Sequence, residues 1–142
     1  MTDDAISVRV ASERDFPAIT RLQQRAPEAA QWPLGDFKGC SLFIAFAGAA
    51  PAGFCAWRQT LPDEAELLNV AVDPDYRRRG IGSRLMETLL GAARGGIFLE
   101  VAESNTRAIA LYRKFGWMEA GIRVGYYNQG KINAIVMKKS SW

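Results

Sequence analysis

The chain has 142 residues, 49% hydrophobic and 23% charged, a composition suited to one globular domain with a buried core and unlike that of a disordered chain. Its 18 basic and 15 acidic residues leave a net charge of +3, too small by itself to argue for nucleic-acid binding. Histidine is absent, which excludes an imidazole base or a Ser/His pair, and Cys40 and Cys55 have no C-x-x-C spacing, which argues against a zinc site or a disulfide framework.

Proton transfer therefore falls to carboxylates, tyrosine, cysteine, lysine or water. No apolar run approaches the ~18–20 residues needed to span a bilayer. The opening "MTDDAISVRVASERDF" is acidic and lacks the basic-then-apolar pattern of a secretory signal, so a cytoplasmic location is expected.

In chain order, "ISVRVA" (6–11) alternates like a strand, and "SERDFPAITRLQQRA" follows with Ser12 as a capping residue and Phe16, Ile19 and Leu22 at helical spacing. Over 28–37, Pro33 and Gly35 limit any helix to a short one. "SLFIAFAG" and "AGFCAWRQT" predict two strands joined in a hairpin. "AELLNVAVDP" is nearly continuous in apolar residues, predicting a strand buried on both faces that stops at Pro74. Ile81, Leu85, Met86, Leu89, Leu90 and Ala93 form one helical stripe, and "GGIFLEVA" is a further buried strand. "SNTRAIALYRKFGW" starts at a capping Ser or Asn, presents Ala108, Leu111, Tyr112 and Phe115 on one face and ends at Gly116. "WMEAGIRVGYY" and "NAIVMKK" pair around "NQGK". There are no repeats or linkers, and the order is that of a single mixed α/β domain.

The stretch "DPDYRRRGIGSRL" (73–85) raises the question of function. A strand ending at Val72, then a turn and a helix start, gathers backbone N–H groups that have no intrahelical acceptor. Those donors and the positive end of the helix dipole favour an anion, and Gly80 and Gly82 let the backbone approach it closely. Arg77, Arg78, Arg79 and Arg84 add positive charge, so the segment reads as a pyrophosphate cradle rather than a solvated basic loop. "RRRGIGSRL" fits neither G-x-x-x-x-G-K-[ST] nor G-x-G-x-x-G, which sets aside nucleoside-triphosphate and dinucleotide loops.

The same residues resemble the acetyl-CoA signature of the GNAT acetyltransferases, [RQ]-x-x-G-x-[GA] after a strand of form V-x-x-x-Y. Here it is Val72, Tyr76, Arg77, Gly80 and Gly82. The segment "LEVAESNTRAIALYRKFGWMEAGIRVGYY" is similar to the RimI-like subgroup, enzymes that acetylate the N-terminal alanine of a small-subunit ribosomal protein. The resemblance implies an α/β fold with one mixed sheet of about 6–7 strands and about 4 flanking helices, whose parallel middle strands part to admit pantetheine. It implies that the backbone from Asn69 through Val70, Ala71 and Val72 pairs with pantetheine, that Arg77, Arg78, Arg79, Gly80, Ile81, Gly82 and Ser83 hold the pyrophosphate, and that Asn105 and Tyr112 line the thioester end. One departure is a connection from Gly91 to Ile97 about a turn shorter than expected.

Acetyl transfer to an amine needs the amine neutral. An α-amino group titrates near ~8, about two units below a lysine side chain, so a mild base suffices. Glu100, the one charged residue of "IFLEV", is the candidate base, directly or through water; the bland reading is an edge-exposed or salt-bridged glutamate. Tyr112, by the resemblance, is the acid that protonates the CoA thiolate, and a backbone N–H near Val70 or Val72 would polarise the thioester. Glu64, Glu66, Glu100 and Glu103 suit a cationic peptide N-terminus. Tyr126 and Tyr127 resemble the subgroup's peptide-covering tyrosines, and Trp32 caps the same groove in this reading. Cys55 reads as a core cysteine rather than an acyl carrier. The partners expected are acetyl-CoA and a ribosomal-protein N-terminus, with no metal. The alternatives are a small-molecule amine acetyltransferase and a catalytically silent CoA-binding module.

Overall fold

The computed structural model describes residues 5–27, 39–127 and 132–140. Its elements are β1 (Ile6–Val10), α1 (Phe16–Arg25), β2 (Ser41–Ala47), β3 (Ala50–Leu61), β4 (Glu64–Val72), α2 (Ile81–Ala92), β5 (Gly96–Ala102), α3 (Thr106–Lys114), β6 (Met118–Tyr127) and β7 (Ile132–Lys139), with 3-10 turns at Glu13–Asp15 and Pro74–Tyr76. The strands form one mixed sheet in the order β1-β2-β3-β4-β5-β7-β6. β4 and β5 are parallel, whereas β1 with β2, β2 with β3, β5 with β7 and β6 with β7 are antiparallel. The described residues hold three α-helices. The segment 28–37, where a further short helix is expected, lies outside them.

Contacts group the chain into two units, Met1–Arg58 with Asn69–Ala92 and Gln59–Leu68 with Ala93–Trp142. In the first, Ile19 and Leu22 of α1, Ile44 of β2, Phe54 of β3 and Ile81, Leu85, Met86 and Leu89 of α2 are buried. Gly53 lets α2 come close to β3. A Cβ there would stand 2.9 Å from the Ala71 carbonyl and 3.1 Å from the Ile81 side chain. Ser12 caps the 3-10 turn that leads into α1, and Asp15 is the residue that precedes the helix itself.

In the second unit Ile97, Leu99 and Val101 of β5, Ile109 and Tyr112 of α3, Trp117 and Met137 are buried. Asn105 caps α3 by accepting the Ala108 N–H at 3.3 Å, and Gly116 ends it at φ +89. Of the expected face of α3, Tyr112 is buried and Ala108, Leu111 and Phe115 are half-buried, and the buried Ile109 joins it. The short connection before β5 closes around Gln59. Its Nε2 donates to the Leu61, Glu64 and Arg94 carbonyls at 2.8, 3.0 and 2.7 Å, and its Oε1 accepts the Arg94 N–H at 3.0 Å.

β4 is not buried on both faces, as its apolar run suggests. Ala65, Leu67, Asn69 and Ala71 are buried and the residues between them half-buried. The strand alternates with period two, and its less covered face is the one that carries Leu68, Val70 and Val72. The parallel ladder runs from Glu64↔Gly96 to Leu67↔Leu99, although β4 continues to Val72 and β5 to Ala102.

Candidate functional site

The arginine and glycine stretch sits where the sequence places it, between the end of β4 and the first turn of α2. The first helical bond of α2 runs from the Arg84 N–H to the Gly80 carbonyl at 3.0 Å. The N–H groups of Ile81 and Gly82 therefore precede the ladder and lack an acceptor inside the helix. Gly80 is exposed at φ +80, and a Cβ added there would meet nothing within 4 Å, so its backbone is open to a ligand. Arg78 also has a left-handed φ of 67, a conformation that costs an L-residue roughly 1–2 kcal/mol. Arg77 is half-buried, Arg78 and Arg79 are exposed, and the Arg79 guanidinium lies 5.2 Å over the Tyr76 ring. Arg84 does not share the loop's anchoring: its Nη1 donates to the Ile6 carbonyl at 3.3 Å on the β1 side.

Asp73 hangs this loop on the core, a role the sequence reading did not assign. It is 6% exposed; its N–H donates to the Ala52 carbonyl at 2.8 Å, its Oδ1 accepts the Asp75 N–H at 2.9 Å, and its carbonyl accepts the Tyr76 N–H at 2.9 Å. Arg25, the last residue of α1, donates from Nε to Asp73 Oδ2 at 2.6 Å and from Nη2 to Asp75 Oδ2 at 2.9 Å. Burial alone would raise the Asp73 pKa, but the hydrogen bonds from Arg25 and the Asp75 N–H outweigh it and hold the carboxyl below its ordinary value. The D-P-D spacing is visible in the sequence, but Arg25 lies too far along the chain for spacing to connect it.

At the end of β4, Val70 and Val72 are half-buried and Ala71 is buried. The Asn69 side chain is turned away to Gln23 of α1, with Nδ2 donating to Oε1 at 3.2 Å.

In the second unit, Glu100 lies opposite Val136 in the β5–β7 ladder with its side chain 24% exposed. Arg123 of β6 donates from Nη1 to both Glu100 oxygens at 3.0 Å. Sequence spacing gave no sign of this pair, which depends on how β6 registers against β7. Glu64, Glu66 and Glu100 share the half-buried face of β4 and β5, set by the register Glu66↔Phe98. Glu103 stands past the end of β5, with its N–H donating to the Asn133 carbonyl at 2.9 Å. Tyr112 is 4% exposed and packs against Trp117, ring centroids 5.6 Å apart. Asn105 caps α3 through Oδ1, which accepts the Ala108 N–H. Tyr126 and Tyr127 end β6, where the Tyr127 backbone pairs with Ile132. Gly125, just before them, has φ +66 and donates its N–H to Asn133 Oδ1 at 2.9 Å. Trp32 lies outside the described residues.

Cys55 is 2% exposed, and burial pushes its thiol up to about 12. A thiol held there supplies almost no thiolate at neutral pH, so it is no acyl-accepting nucleophile. No helix among the described residues is long and apolar enough to cross a membrane.

The sequence profile of the Acetyltransferase (GNAT) family matches residues 7–117. A ribosomal protein bS18-alanine N-acetyltransferase of Salmonella typhimurium is 39% identical over 141 residues, spanning 92% of this chain and 95% of that protein. The crystal structure of the ribosomal-protein-S18-alanine N-acetyltransferase from Escherichia coli superposes with a TM-score of 0.84 at 34% identity, covering 96% of this chain and 94% of that one. Ard1 from Thermoplasma volcanium superposes with a TM-score of 0.88 at 26% identity, covering 97% and 99%.

Proposed function

The chain belongs to the GNAT acetyltransferase family, and we propose that, as one catalytic domain acting in the cytoplasm, it transfers the acetyl group of acetyl-CoA to the N-terminal α-amino group of a ribosomal protein. The observation that carries this reading is the near full-length likeness to a relative whose name specifies that reaction, at 39% identity. The open first turn of α2, with Gly80 at φ +80 and arginines around it, fits the diphosphate of coenzyme A and supports the choice of donor.

In this reading the N–H groups of Gly80, Ile81, Gly82 and Ser83 hold the diphosphate, with Arg77, Arg78 and Arg79 adding charge. The backbone of Val70, Ala71 and Val72 takes the pantetheine amides, and an N–H near Val70 or Val72 stabilises the oxyanion. Glu100 takes the proton of the attacking amine, directly or through water. A C–N bond forms, the thioester C–S bond breaks, and Tyr112 gives its proton to the leaving sulfur. The transfer is direct within a ternary complex, a route supported by the inert environment of Cys55. Glu64 and Glu66, half-buried on the face that carries Glu100, attract the positive end of the acceptor, and the resemblance to the RimI-like subgroup assigns Trp32, Tyr126 and Tyr127 to its cover.

Incubation with acetyl-CoA and the candidate ribosomal protein, read by intact and N-terminal-peptide mass, tests the proposal. One added acetyl group on the terminal residue is the expected result. Acetylation of small amines in a free-thiol assay with none on the protein would place the enzyme with small-molecule acetyltransferases instead. Tight CoA binding without turnover of any amine would mark a silent binding module.

A further inference from the structure

We infer that Arg25 is a positioning residue for the cofactor: through Asp73 and Asp75 it holds the loop from Arg77 to Gly80 in the shape that receives the diphosphate of acetyl-CoA. The inference rests on the cradle reading above and adds a residue from another element, distant in sequence from the signature.

The argument begins with the Asp73 carboxylate, whose side chain is 9% exposed. An ionised group so placed needs its oxygens satisfied. Oδ1 is satisfied by the Asp75 N–H at 2.9 Å and Oδ2 by Arg25 Nε at 2.6 Å. Removing the guanidinium strands Oδ2, and the side chain regains a donor only by turning towards water. That rotation takes Oδ1 off the Asp75 N–H and loosens the 3-10 turn that Asp73 caps.

The next residues are those least able to keep their shape alone. Arg78 sits at φ 67 and Gly80 at φ 80 within three residues of each other. A left-handed arginine persists only where its surroundings over-determine it. The Asp73 turn, fixed to β3 through Ala52 and to α1 through Arg25, supplies that constraint from upstream. The post itself is firm, because Ile19 and Leu22 bury the inner face of α1.

Charge gives a second reason. Two carboxylates flank Pro74 just ahead of a proposed anion site, and left unpaired they would repel a diphosphate. The Arg25 fork engages both, with Nη2 reaching Asp75 Oδ2 at 2.9 Å, which a lysine cannot reproduce. As a stability device the pair is modest, since the Arg25 side chain is 49% exposed. Its larger effect falls on loop geometry.

The test compares two acyl donors on the full chain: acetyl-CoA, and S-acetylpantetheine, which carries the thioester arm but no diphosphate. Arg25→Gln is expected to lower kcat/KM for acetyl-CoA on the order of tenfold and leave that for S-acetylpantetheine unchanged, so that the preference of the wild type for acetyl-CoA shrinks. Arg25→Lys should restore part of it. General damage to the fold would lower both donors together, and an unchanged preference in Arg25→Gln overturns the inference. Should that variant fail to fold, Asp75→Asn, which removes one arm of the fork at an exposed side chain, is read in its place; a smaller loss of preference is expected and none overturns the inference. Gly80→Ala separates the two levels. If it abolishes the preference while the Arg25 and Asp75 variants keep it, the positioning role falls and the cradle stands. If the wild type itself does not distinguish the donors, the cradle reading falls too.

Discussion

Arg123 places one guanidinium nitrogen 3.0 Å from both carboxylate oxygens of Glu100, so the candidate base is held by a cation on the neighbouring hairpin. The pair fixes the direction in which the carboxylate faces while its side chain stays 24% exposed. Glu100→Gln keeps the shape but removes the basic oxygen, and kcat should fall on the order of 10²- to 10³-fold with little change in melting temperature. Arg123→Gln, which only frees the carboxylate, should cost about tenfold. Because the arginine acts through Glu100, the double variant should be no slower than Glu100→Gln alone, the non-additivity expected of coupled residues. Steady-state kinetics on the four proteins checks this; additive losses would separate the two residues.

Tyr112→Phe isolates the hydroxyl. The ring is 4% exposed against Trp117, and phenylalanine fills the same space, so the packing of the ring is kept. If the hydroxyl protonates the leaving thiolate, kcat should drop on the order of 10²-fold while the Kd for CoA by calorimetry stays within a factor of two of wild type. A truncation to alanine would open a cavity costing about 3–5 kcal/mol and confuse the reading.

Much of this site was legible because its signals are local. A turn, two glycines and a helix start lie within the 73–85 stretch, directly after a strand; Gly80 takes a positive φ, whereas Gly82 falls inside α2. What stayed hidden depends on partners distant in sequence. Arg25 reaches Asp73 across 48 residues and Arg123 reaches Glu100 across 23, distances at which composition and period carry no information. The apolar run of β4 misled because hydrophobicity alone cannot tell a strand covered on both faces from one whose half-buried face carries Val70 and Val72. Asn105 shows the reverse: the sequence offers Ser104 or Asn105 as the cap of α3 and Asn105 takes it through the Ala108 N–H, whereas its place at the thioester followed only from resemblance.

Two of the left-handed glycines, Gly80 and Gly95, should respond differently to alanine. At Gly95, φ +78, an added Cβ would fall 1.7 Å from the Asp63 carbonyl oxygen, backbone that Gln59 holds in place through neighbouring carbonyls. At Gly80 the Cβ enters open space and only the conformational cost of roughly 1–2 kcal/mol applies. Gly95→Ala should therefore lower the melting temperature far more than Gly80→Ala, and Gly80→Ala should be the one that weakens CoA binding. The short connection ahead of β5 is then sustained by a glycine that meets the β3–β4 turn. Equal melting temperatures for the two variants would show that the contact at Asp63 relaxes freely.

Acid should weaken the start of the chain through Asp15. Its carboxylate accepts Arg9 Nη1 and Nη2 at 2.8 Å each and the Ser12 N–H at 2.9 Å. The Arg9 hydrogen bonds, against an opposing effect of burial and with help from Ser12, hold the folded pKa far below the ordinary carboxylate range. A group whose pKa is depressed by folding adds stability above its unfolded pKa of about 4, and that stability drains away as pH falls below this value towards the folded one. Asp15→Asn cannot titrate. The melting-temperature gap between wild type and Asp15→Asn should therefore be constant from pH 7 to about 5 and narrow steadily below about 4. A gap that persists unchanged to pH 3 would mean that the asparagine variant loses packing or capping geometry rather than the charge on Asp15.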